Sequence, residues 1–371
     1  MTTDHIERAA TELIIDLDAL AANWRQLSER VAPGLCAGMV KANAYGLGLN
    51  RVAPALYEAG CRHFFTANTF GAMKLKKLLP DCHAFVLNGL TVGTDKVFLD
   101  NDLIPVLNDL GQIEHWAATA RSEERKLKAM IHLDTGMARL GLPPYEVDKL
   151  AERPELLDGI DVTYYASHLA CADEHDHPLN TEQLHIFRDA LARLPKAPAS
   201  LANSSGIFLG SEYHFDLARP GYAVYGGNPT PGRENPMQPA VRLHARIIQI
   251  REIKAGDPVG YGATYRARQN QRIATIPVGY ADGYLRSLSS IGVARVAGRE
   301  VPLVGRVSMD LVTLDVTDVP EAEAQVGTWV DLIWGPDKLD RLAGYAGTIG
   351  YELLTALGGR YPRNYLGGPR Q

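Results

Sequence analysis

The sequence predicts an α/β protein, a (β/α)8 TIM-type barrel followed by a C-terminal mostly-β domain. Between residues 35 and 219, eight short apolar runs alternate with amphipathic helical patterns, as the strands and helices of such a barrel do. Beyond a Pro/Gly-rich segment at 228–232, short alternating runs punctuated by Gly and Pro are typical of β-strands. An open doubly wound sheet is the rival for the first part, but no G-x-G-x-x-G follows its first strand.

The predicted elements follow one another along the chain. Residues 1–10 form a polar tail, and residues 11–16 form a strand that we expect to pair with the C-terminal domain, because the barrel does not need it. An amphipathic pattern predicts a helix at 17–31. The predicted barrel strands are 35–41, 63–67, 84–87, 103–107, 129–133, 162–165, 200–203 and 215–219, with helices that include 51–60, 70–79, 112–121, 144–152 and 180–194. We place the barrel domain at 17–232 and the C-terminal domain at 233–371, with strands at 245–250, 272–277, 293–296, 301–304, 311–316 and 329–333.

The composition bounds the class of protein. A chain of 371 residues with 46% hydrophobic and 22% charged residues is long enough for more than one globular domain. Its net charge of −5 provides no electrostatic reason to bind nucleic acid or an anionic membrane. No apolar run approaches the roughly 20 residues of a membrane span, and the first ten residues do not resemble a signal peptide. The four cysteines form no C-x-x-C pair. We therefore expect a soluble, cytoplasmic protein with free thiols.

Lys41 is the first candidate functional residue. It ends the apolar run 35–40 and precedes a turn with Gly46 and Gly48. Burial disfavours the charged form of a lysine, which lowers its pKa and leaves a nucleophilic amine suited to Schiff-base chemistry. The alternative is a lysine whose amine reaches solvent from the strand end.

Two loops are candidates for binding a phosphate. Residues 203–206 (N-S-S-G) and 219–222 (R-P-G-Y) follow the seventh and eighth predicted strands, where barrel enzymes often bind phosphate. Hydroxyl groups, backbone N–H groups and glycines suit a phosphate dianion. Either segment alone is more often a simple turn, but their placement on consecutive loops favours a site.

Several motifs carry a resemblance to one family. The sequence V-K-A-N-A-Y-G-L-G at 40–48 resembles the pyridoxal-phosphate (PLP) lysine motif of the alanine racemases. D-T-G-M-A-R at 134–139, G-Y-G-A-T-Y at 260–265, G-Y-A-D-G-Y at 279–284 and V-S-M-D at 307–310 resemble further blocks of that family, in the same order. The resemblance implies a PLP enzyme that interconverts L-alanine and D-alanine through an external aldimine and supplies D-alanine for peptidoglycan.

The resemblance also implies roles for individual residues. Lys41 and Tyr265 would be the two catalytic bases, and Arg219 would face the pyridine nitrogen and keep the cofactor a weak electron sink. The implied cofactor-binding residues are Lys41, Tyr45, Arg139, His168, Asn203, Ser204, Arg219, Gly221, Tyr222 and Tyr351, and the implied substrate-binding residues are Arg139, Met309, Tyr265 and Tyr284. The family further implies a homodimer in which each active site takes Lys41 and Tyr265 from different chains.

The sequence departs from the family at three positions. His132 stands where the family often has a carbamylated lysine that positions the arginine corresponding to Arg139, and imidazole forms no stable carbamate. Ala138 replaces a glycine, and Ser308 replaces a frequent cysteine. Residues 173–177 (D-E-H-D-H) look like metal ligands, but five polar residues in a row favour a solvated loop, so we predict no metal.

Three other functions share parts of this pattern. A serine racemase or a racemase of broader specificity on the same scaffold differs only in pocket shape, which the sequence does not provide. A non-catalytic PLP-binding protein of the single-barrel type lacks the β-domain that carries Tyr265. A barrel amino-acid decarboxylase shares the cofactor and the barrel but lacks the G-Y-G-A-T-Y motif.

Overall fold

The computed structural model describes residues 10–369, and its first part is a barrel of parallel strands. Strands seven and eight are joined by hydrogen bonds from the N–H of Asp216 to the carbonyl of Ala199 at 3.0 Å and from the N–H of Arg219 to the carbonyl of Ala202 at 2.8 Å. Strand one is interrupted at Ala37, so that its first half pairs with strand eight and its second half with strand two. Strands two to seven pair in chain order. The eight barrel strands are Leu35–Cys36 with Gly38–Met39, His63–Thr66, His83–Val86, Leu103–Leu107, Leu127–His132, Ile160–Ala166, Ala199–Ser200 and Leu217–Ala218. The predicted α/β barrel is confirmed.

The helices on the outside of the barrel lie close to their predicted positions. They are Leu17–Val31, Leu49–Glu58, Thr69–Leu78, Asp95–Asp100, Leu110–Ser122, Pro144–Glu152 and Pro178–Arg193. Several begin at side-chain caps: Asp16 accepts from the N–H of Ala19, and Asp109 from that of Gln112. The six-residue helix Asp95–Asp100 was not predicted, because it is too short for its apolar period to stand out.

The second part is mostly β, as predicted. One sheet has six strands in the order Arg299–Pro302, Val293–Val296, Trp329–Ile333, Val241–Arg246, Thr11–Asp16 and Arg363–Leu366. A second sheet contains Gln249–Ile253, Gln271–Ile276 and Val312–Asp315, and a small hairpin joins Pro258–Val259 to Tyr265–Arg266. Two helices not recognised in the sequence, Lys338–Tyr345 and Gly350–Ala356, precede the last strand.

The start of the chain is built into the C-terminal sheet. Thr11–Asp16 pairs antiparallel with Val241–Arg246 and parallel with Arg363–Leu366. One cluster of buried apolar side chains runs without a break from the barrel into this sheet. The predicted strand 245–250 was misplaced, because it spans the bend between two real strands, Val241–Arg246 and Gln249–Ile253.

The remaining predictions concern the N-terminal tail, membrane-spanning helices and metal binding. The polar tail predicted at 1–10 lies outside the described residues except for residue 10. Within residues 10–369, no helix is long and apolar enough to cross a bilayer. The same part of the chain holds no group of three or more His, Cys, Asp or Glu side chains placed to bind a metal, and His175 instead pairs with Asp176 at 2.9 Å.

Candidate active site

Lys41 lies at the carboxyl end of barrel strand one, where the backbone changes direction abruptly. Residues 42–45 all have left-handed φ angles, between 52° and 56°, and Gly46 follows with a φ of 82°. Left-handed conformations cost about 1–2 kcal/mol per non-glycine residue, so tertiary contacts must maintain this turn. One of them is the Asn43 carboxamide, whose Oδ1 accepts from the N–H of Leu49 at 2.9 Å. The lysine is thereby held at the rim of the barrel.

Lys41 lines a cavity of about 290 Å³ at this end of the barrel. His132, His168 and Arg219 come from the ends of strands five, six and eight, and Arg139 from the loop after strand five. They meet because the carboxyl ends of the parallel strands lie at one face of the barrel, where barrel enzymes place their active sites. Among residues 10–369, no carboxylate lines this cavity, so the charged side chains described there are all cationic. Such a cavity favours an anionic ligand.

The protonation of these side chains follows from burial and from the neighbouring cations. Burial and then Arg139 lower the pKa of Lys41, which makes a neutral amine more accessible. Burial and then Arg219 lower the pKa of His132 to about 4, and the same causes hold the pKa of His168 well below its ordinary value. Both imidazoles are therefore neutral at pH 7.

Arg219 is buried without a carboxylate partner among the described residues. One terminal nitrogen donates to the carbonyl of Ser167 at 2.5 Å, and the other to the Ser200 hydroxyl. Within residues 10–369 its Nε–H makes no hydrogen bond, although the side chain lines the cavity. Burial lowers the pKa of Arg219 to about 10, so the guanidinium stays charged at neutral pH. Arg219 is therefore a buried cation whose Nε–H can still donate a hydrogen bond to a ligand in the cavity.

The two predicted phosphate loops lie side by side. The Ser204 hydroxyl accepts from the backbone N–H groups of Gly221 at 2.9 Å and Ala223 at 3.2 Å, which ties the loop after strand seven to the loop after strand eight. A Cβ atom at Gly221 would collide with the Tyr45 hydroxyl, so glycine is required at this close approach. Asn203 acts locally, since its Oδ1 accepts from the N–H of Gly206 at 2.8 Å.

Three tyrosines lie at this pair of loops: Tyr222 on the second loop, and Tyr351 and Tyr45 beside it. Tyr222 stacks on Tyr351 with ring centroids 4.1 Å apart, and Tyr45 lies 6.1 Å from Tyr351. Tyr45 and Tyr351 also line a second cavity of about 480 Å³, which shares Lys41 with the first cavity. Lys41 therefore lies between the cationic cavity and the tyrosine-lined one.

The loop that carries Arg139 is shaped by one carboxylate. Asp134 Oδ1 accepts from the backbone N–H groups of Gly136, Met137 and Ala138 at 3.0, 3.0 and 3.1 Å. Ala138 has a φ of 54°, a conformation that glycine adopts without strain. An alanine at this position therefore carries a local cost in backbone energy that a glycine would avoid.

The remaining predicted residues, Tyr265, Tyr284 and Met309, lie in the C-terminal part and line neither cavity that Lys41 lines. Neither cavity lined by Lys41 includes Tyr265, which belongs to the small hairpin. Met309 is 53% exposed, whereas Tyr284 is 2% exposed and its hydroxyl has no hydrogen-bond partner among the described residues. One chain thus brings the predicted barrel residues together but leaves Tyr265, Tyr284 and Met309 apart from them.

Sequence reasoning missed Asn108, whose Oδ1 lies 2.8 Å from Nδ1 of His132. Asn108 directly follows barrel strand four, and a polar residue at a strand's carboxyl end is a signal that could have found it. It also missed Asp340, which accepts a hydrogen bond of 2.7 Å from the Tyr222 hydroxyl. No local pattern marks Asp340, because 118 positions separate it from Tyr222.

Comparison with protein families decides the relationship. Residues 15–229 match the family model "Alanine racemase, N-terminal domain", and residues 240–365 match "Alanine racemase, C-terminal domain". The chain belongs to the alanine racemase family. Individual members agree over nearly the whole length. The alanine racemase of Rhodospirillum rubrum is 53% identical over 99% of this chain and 98% of its own, and that of Brucella abortus is 48% identical over 95% and 93%.

Solved structures of the family share the fold. The crystal structure of alanine racemase from Bartonella henselae with covalently bound pyridoxal phosphate has a TM-score of 0.93 and 42% identity, and it covers 96% of this chain and 100% of its own. The biosynthetic alanine racemase of Pseudomonas aeruginosa has a TM-score of 0.89 and 35% identity over 96% and 99% of the two chains. The predicted family is therefore confirmed.

Proposed function

We propose that the chain is a PLP-dependent alanine racemase that interconverts L-alanine and D-alanine. The observation that carries this proposal is the placement of Lys41, whose pKa is lowered, beside a cationic cavity in a member of this family. The relatives that match over nearly the full length are alanine racemases, and one was crystallised with covalently bound pyridoxal phosphate. We place the reaction in the cytoplasm and its D-alanine product in peptidoglycan synthesis.

The residues of the site fit pyridoxal phosphate. The cofactor carries a phosphate dianion, a phenolic oxygen and an aldehyde that reacts with an amine, and the site offers cations, hydroxyl groups and the Lys41 amine. Ser204, Gly221 and Tyr222, which lie on the two adjacent loops, and Tyr45 and Tyr351, which lie beside them, would hold the phosphate. Arg219, with an Nε–H that has no partner in the described chain, would face the pyridine nitrogen.

The proposed mechanism assigns one proton to each of two bases. When bound, the cofactor supplies the electron sink that makes the α-proton of alanine acidic. Lys41 moves the α-proton on one face, aided by the burial that favours its neutral amine. Tyr265 moves it on the other face. Arg139 binds the substrate carboxylate, and the neutral His168 packs beside Arg219 without adding charge. Asn203 shapes the phosphate loop. Met309 and Tyr284 would complete the substrate pocket of the other subunit, since they line neither Lys41 cavity of their own chain.

The second base would come from another subunit. We propose a homodimer in which the C-terminal domain (233–371) of one chain closes over the barrel (17–232) of its partner. Two features support it: Tyr265 lines neither Lys41 cavity of its own chain, and Tyr261, Ile349 and Met309 leave apolar surface 72%, 62% and 53% exposed. An isologous interface would then build two identical shared sites.

Mixed dimers test this arrangement. Lys41→Ala and Tyr265→Ala proteins should each be nearly inactive alone. After subunit exchange, one site of a heterodimer holds both lesions and the other holds neither, so activity should return to about one wild-type site per heterodimer. If labelled subunits are seen to exchange and the mixture stays inactive, Tyr265 acts within its own chain.

The activity itself is tested with a panel of amino acids. The purified protein with PLP should convert L-alanine to an equal mixture of isomers, as followed by chiral chromatography, and should convert L-serine more slowly. Similar rates for several amino acids would establish a racemase of broad specificity instead. No racemisation by the cofactor-loaded dimer would refute the proposed function.

A further inference from the structure

The hydroxyl of Tyr265 is hydrogen-bonded to both the oxygen and the nitrogen of one buried side-chain amide, that of Gln271. The phenolic hydroxyl lies 2.9 Å from Gln271 Oε1, to which it donates, and 2.8 Å from Gln271 Nε2, which donates to it. Gln271 is 7% exposed and begins the central strand of the three-stranded sheet. The ring of Tyr265 packs against a small apolar cluster of Val259, Ile273 and Val304. Apolar contacts therefore place the ring, while one side chain contacts its reactive oxygen.

The orientation of this carboxamide is set from the neighbouring strand. Gln271 Nε2 also donates to Oδ2 of Asp315, and Oδ1 of the same carboxylate accepts from the backbone N–H of Thr317 at 3.0 Å and from its hydroxyl at 2.5 Å. A carboxylate only accepts hydrogen bonds when it is ionised, so it selects the amide nitrogen and turns Oε1 and the second N–H towards Tyr265. A series of hydrogen bonds therefore links the turn at Thr317, through Asp315 and Gln271, to the hydroxyl of Tyr265.

A carboxamide in this position serves both protonation states of the phenol. A phenol needs an acceptor for its proton, and a phenolate needs a donor for its charge. Oε1 is the acceptor and Nε2–H is the donor, and the two distances are nearly equal. The Nε2–H bond suits the oxygen in both states, whereas the bond to Oε1 is present only while the phenol carries its proton. A carboxylate or an ammonium at the same place would match only one of the two states.

We propose that Gln271, oriented by Asp315, is a positioning residue that holds Tyr265 ready for proton transfer. This inference rests on the proposed role of Tyr265 as a catalytic base. Before the transfer, Gln271 Nε2–H donates to the phenolate. The substrate Cα–H bond then breaks, its electron pair stays with the substrate, and the proton forms the phenolic O–H bond, which donates to Oε1. Return of the proton reverses the same two hydrogen bonds.

The test is the exchange of the α-proton in deuterated water, measured separately for each isomer. In the family, lysine acts on D-alanine and tyrosine on L-alanine, so a defect confined to Tyr265 has a different signature from a general loss. Gln271→Met keeps the length of the side chain but removes both hydrogen bonds. Loss of a hydrogen bond to a charged group is expected to slow the exchange of L-alanine by about ten- to a hundredfold. The exchange of D-alanine should stay within about twofold of wild type.

The neighbouring residue provides a matched control. Arg272 follows Gln271 in the central strand, but its guanidinium donates to the carbonyls of Val319 at 3.0 Å and Ala324 at 2.9 Å and, within the described residues, makes no hydrogen bond to Tyr265. Arg272→Met therefore removes structural hydrogen bonds beside Gln271, and it should affect both isomers equally. Asp315→Asn replaces the carboxylate that accepts from Gln271 Nε2 with an amide, which can also donate. This variant should slow the exchange of L-alanine but not of D-alanine, as Gln271→Met does, and by a smaller factor.

A second readout does not depend on catalysis. In the cofactor-free protein labelled with 13C at tyrosine Cζ, the Tyr265 resonance is identified by its loss in Tyr265→Phe. Gln271→Met should shift or broaden this resonance, and Arg272→Met should not.

Equal loss of exchange for both isomers in folded Gln271→Met or Asp315→Asn, or an unchanged L-alanine exchange, would overturn the inference. If Tyr265→Phe itself exchanges L-alanine normally, the proposed base is wrong, and that outcome is distinct from a failure of Gln271 alone.

Discussion

His132 donates a hydrogen bond from Nδ1 to Oδ1 of Asn108, over 2.8 Å, at the edge of the cationic cavity. The direction of this bond is determined by Asn108, whose amide nitrogen already donates to the carbonyls of Val106 at 2.8 Å and Leu87 at 3.2 Å. Its Oδ1 can then only accept, so the network assigns the proton of His132 to Nδ1. With its pKa lowered to about 4, His132 offers the lone pair of Nε2 to the cavity as a neutral acceptor.

The first prediction concerns carbon dioxide. A neutral imidazole forms no stable carbamate, so the racemase activity of the wild-type protein should not change when dissolved bicarbonate is removed or added. His132→Lys supplies an amine beside Arg139 and Arg219, where neighbouring cations favour its neutral, reactive form. We expect activity of this variant to depend on bicarbonate. Activation of the wild-type enzyme by bicarbonate would contradict this account.

The second prediction identifies the lysine that holds the cofactor. Borohydride reduction of the PLP-loaded protein should fix the label to the peptide that contains Lys41. Lys76 is a poor competitor because its ammonium donates to Pro80 O at 2.8 Å, Cys82 O at 3.0 Å and Asp102 at 2.9 Å. Peptide mapping by mass spectrometry measures the result, and Lys41→Ala is the control that should stay unlabelled. Label on Lys74 or Lys76 in the wild-type protein would refute the assignment.

The third prediction concerns backbone strain at Ala138. Glycine normally destabilises a protein relative to alanine, but Ala138 has a φ of 54°, which glycine adopts freely. We expect Ala138→Gly to leave the free energy of unfolding unchanged or to raise it by up to about 1 kcal/mol. Ala118→Gly, at an exposed position inside the helix Leu110–Ser122, is the control and should cost about 1 kcal/mol. Chemical denaturation compares the two; equal destabilisation would show that strain at Ala138 is negligible.

The fourth prediction concerns stability in acid. Burial and then His83 lower the pKa of His63 from 6.5 to about 4. The unfolded chain therefore binds a proton at a higher pH than the folded chain, so the free energy of unfolding is highest above about pH 6.5 and falls as the pH drops towards 4. In His63→Gln, the decrease in the free energy of unfolding between pH 7.5 and pH 4 should be about 2 kcal/mol smaller than in the wild-type protein. Urea denaturation from pH 4 to 7.5 measures it, with His185→Gln at an exposed helix position as the control. An unchanged slope in His63→Gln would be the contrary result.

The fifth prediction concerns the hydrogen bond from Tyr222 to Asp340, 2.7 Å long, which joins the loop after barrel strand eight to the helix Lys338–Tyr345. Tyr222→Phe keeps the stacking on Tyr351 and removes only this bond. Because the bond involves a charged partner and is largely buried, its loss should lower the free energy of unfolding by about 1–2 kcal/mol. A double-mutant cycle with Asp340→Ala isolates the interaction. A coupling energy near zero would mean that stacking alone holds Tyr222.

Regular features of the site could be predicted from the sequence because they depend on local pattern. A buried strand must be apolar and must end before a turn, so the runs that end near Lys41, His132 and Arg219 placed these residues at one end of the barrel. The family motifs added roles that no pattern provides. Two helices, Lys338–Tyr345 and Gly350–Ala356, escaped prediction because they have only 8 and 7 residues and the stability of such short helices comes from packing.

The sequence by itself determined the order of strands and helices, the placement of Lys41 and Arg219 at strand ends, and the family. Tertiary structure alone decided the left-handed turn after Lys41, the tautomer of His132 and the contact between Tyr265 and Gln271. Each of these depends on distance and direction between groups whose separation along the chain carries no signal, as with Tyr222 and Asp340, 118 positions apart. The physical reason is that hydrogen bonds and backbone strain are set by positions in space, whereas apolar periodicity is written along the chain.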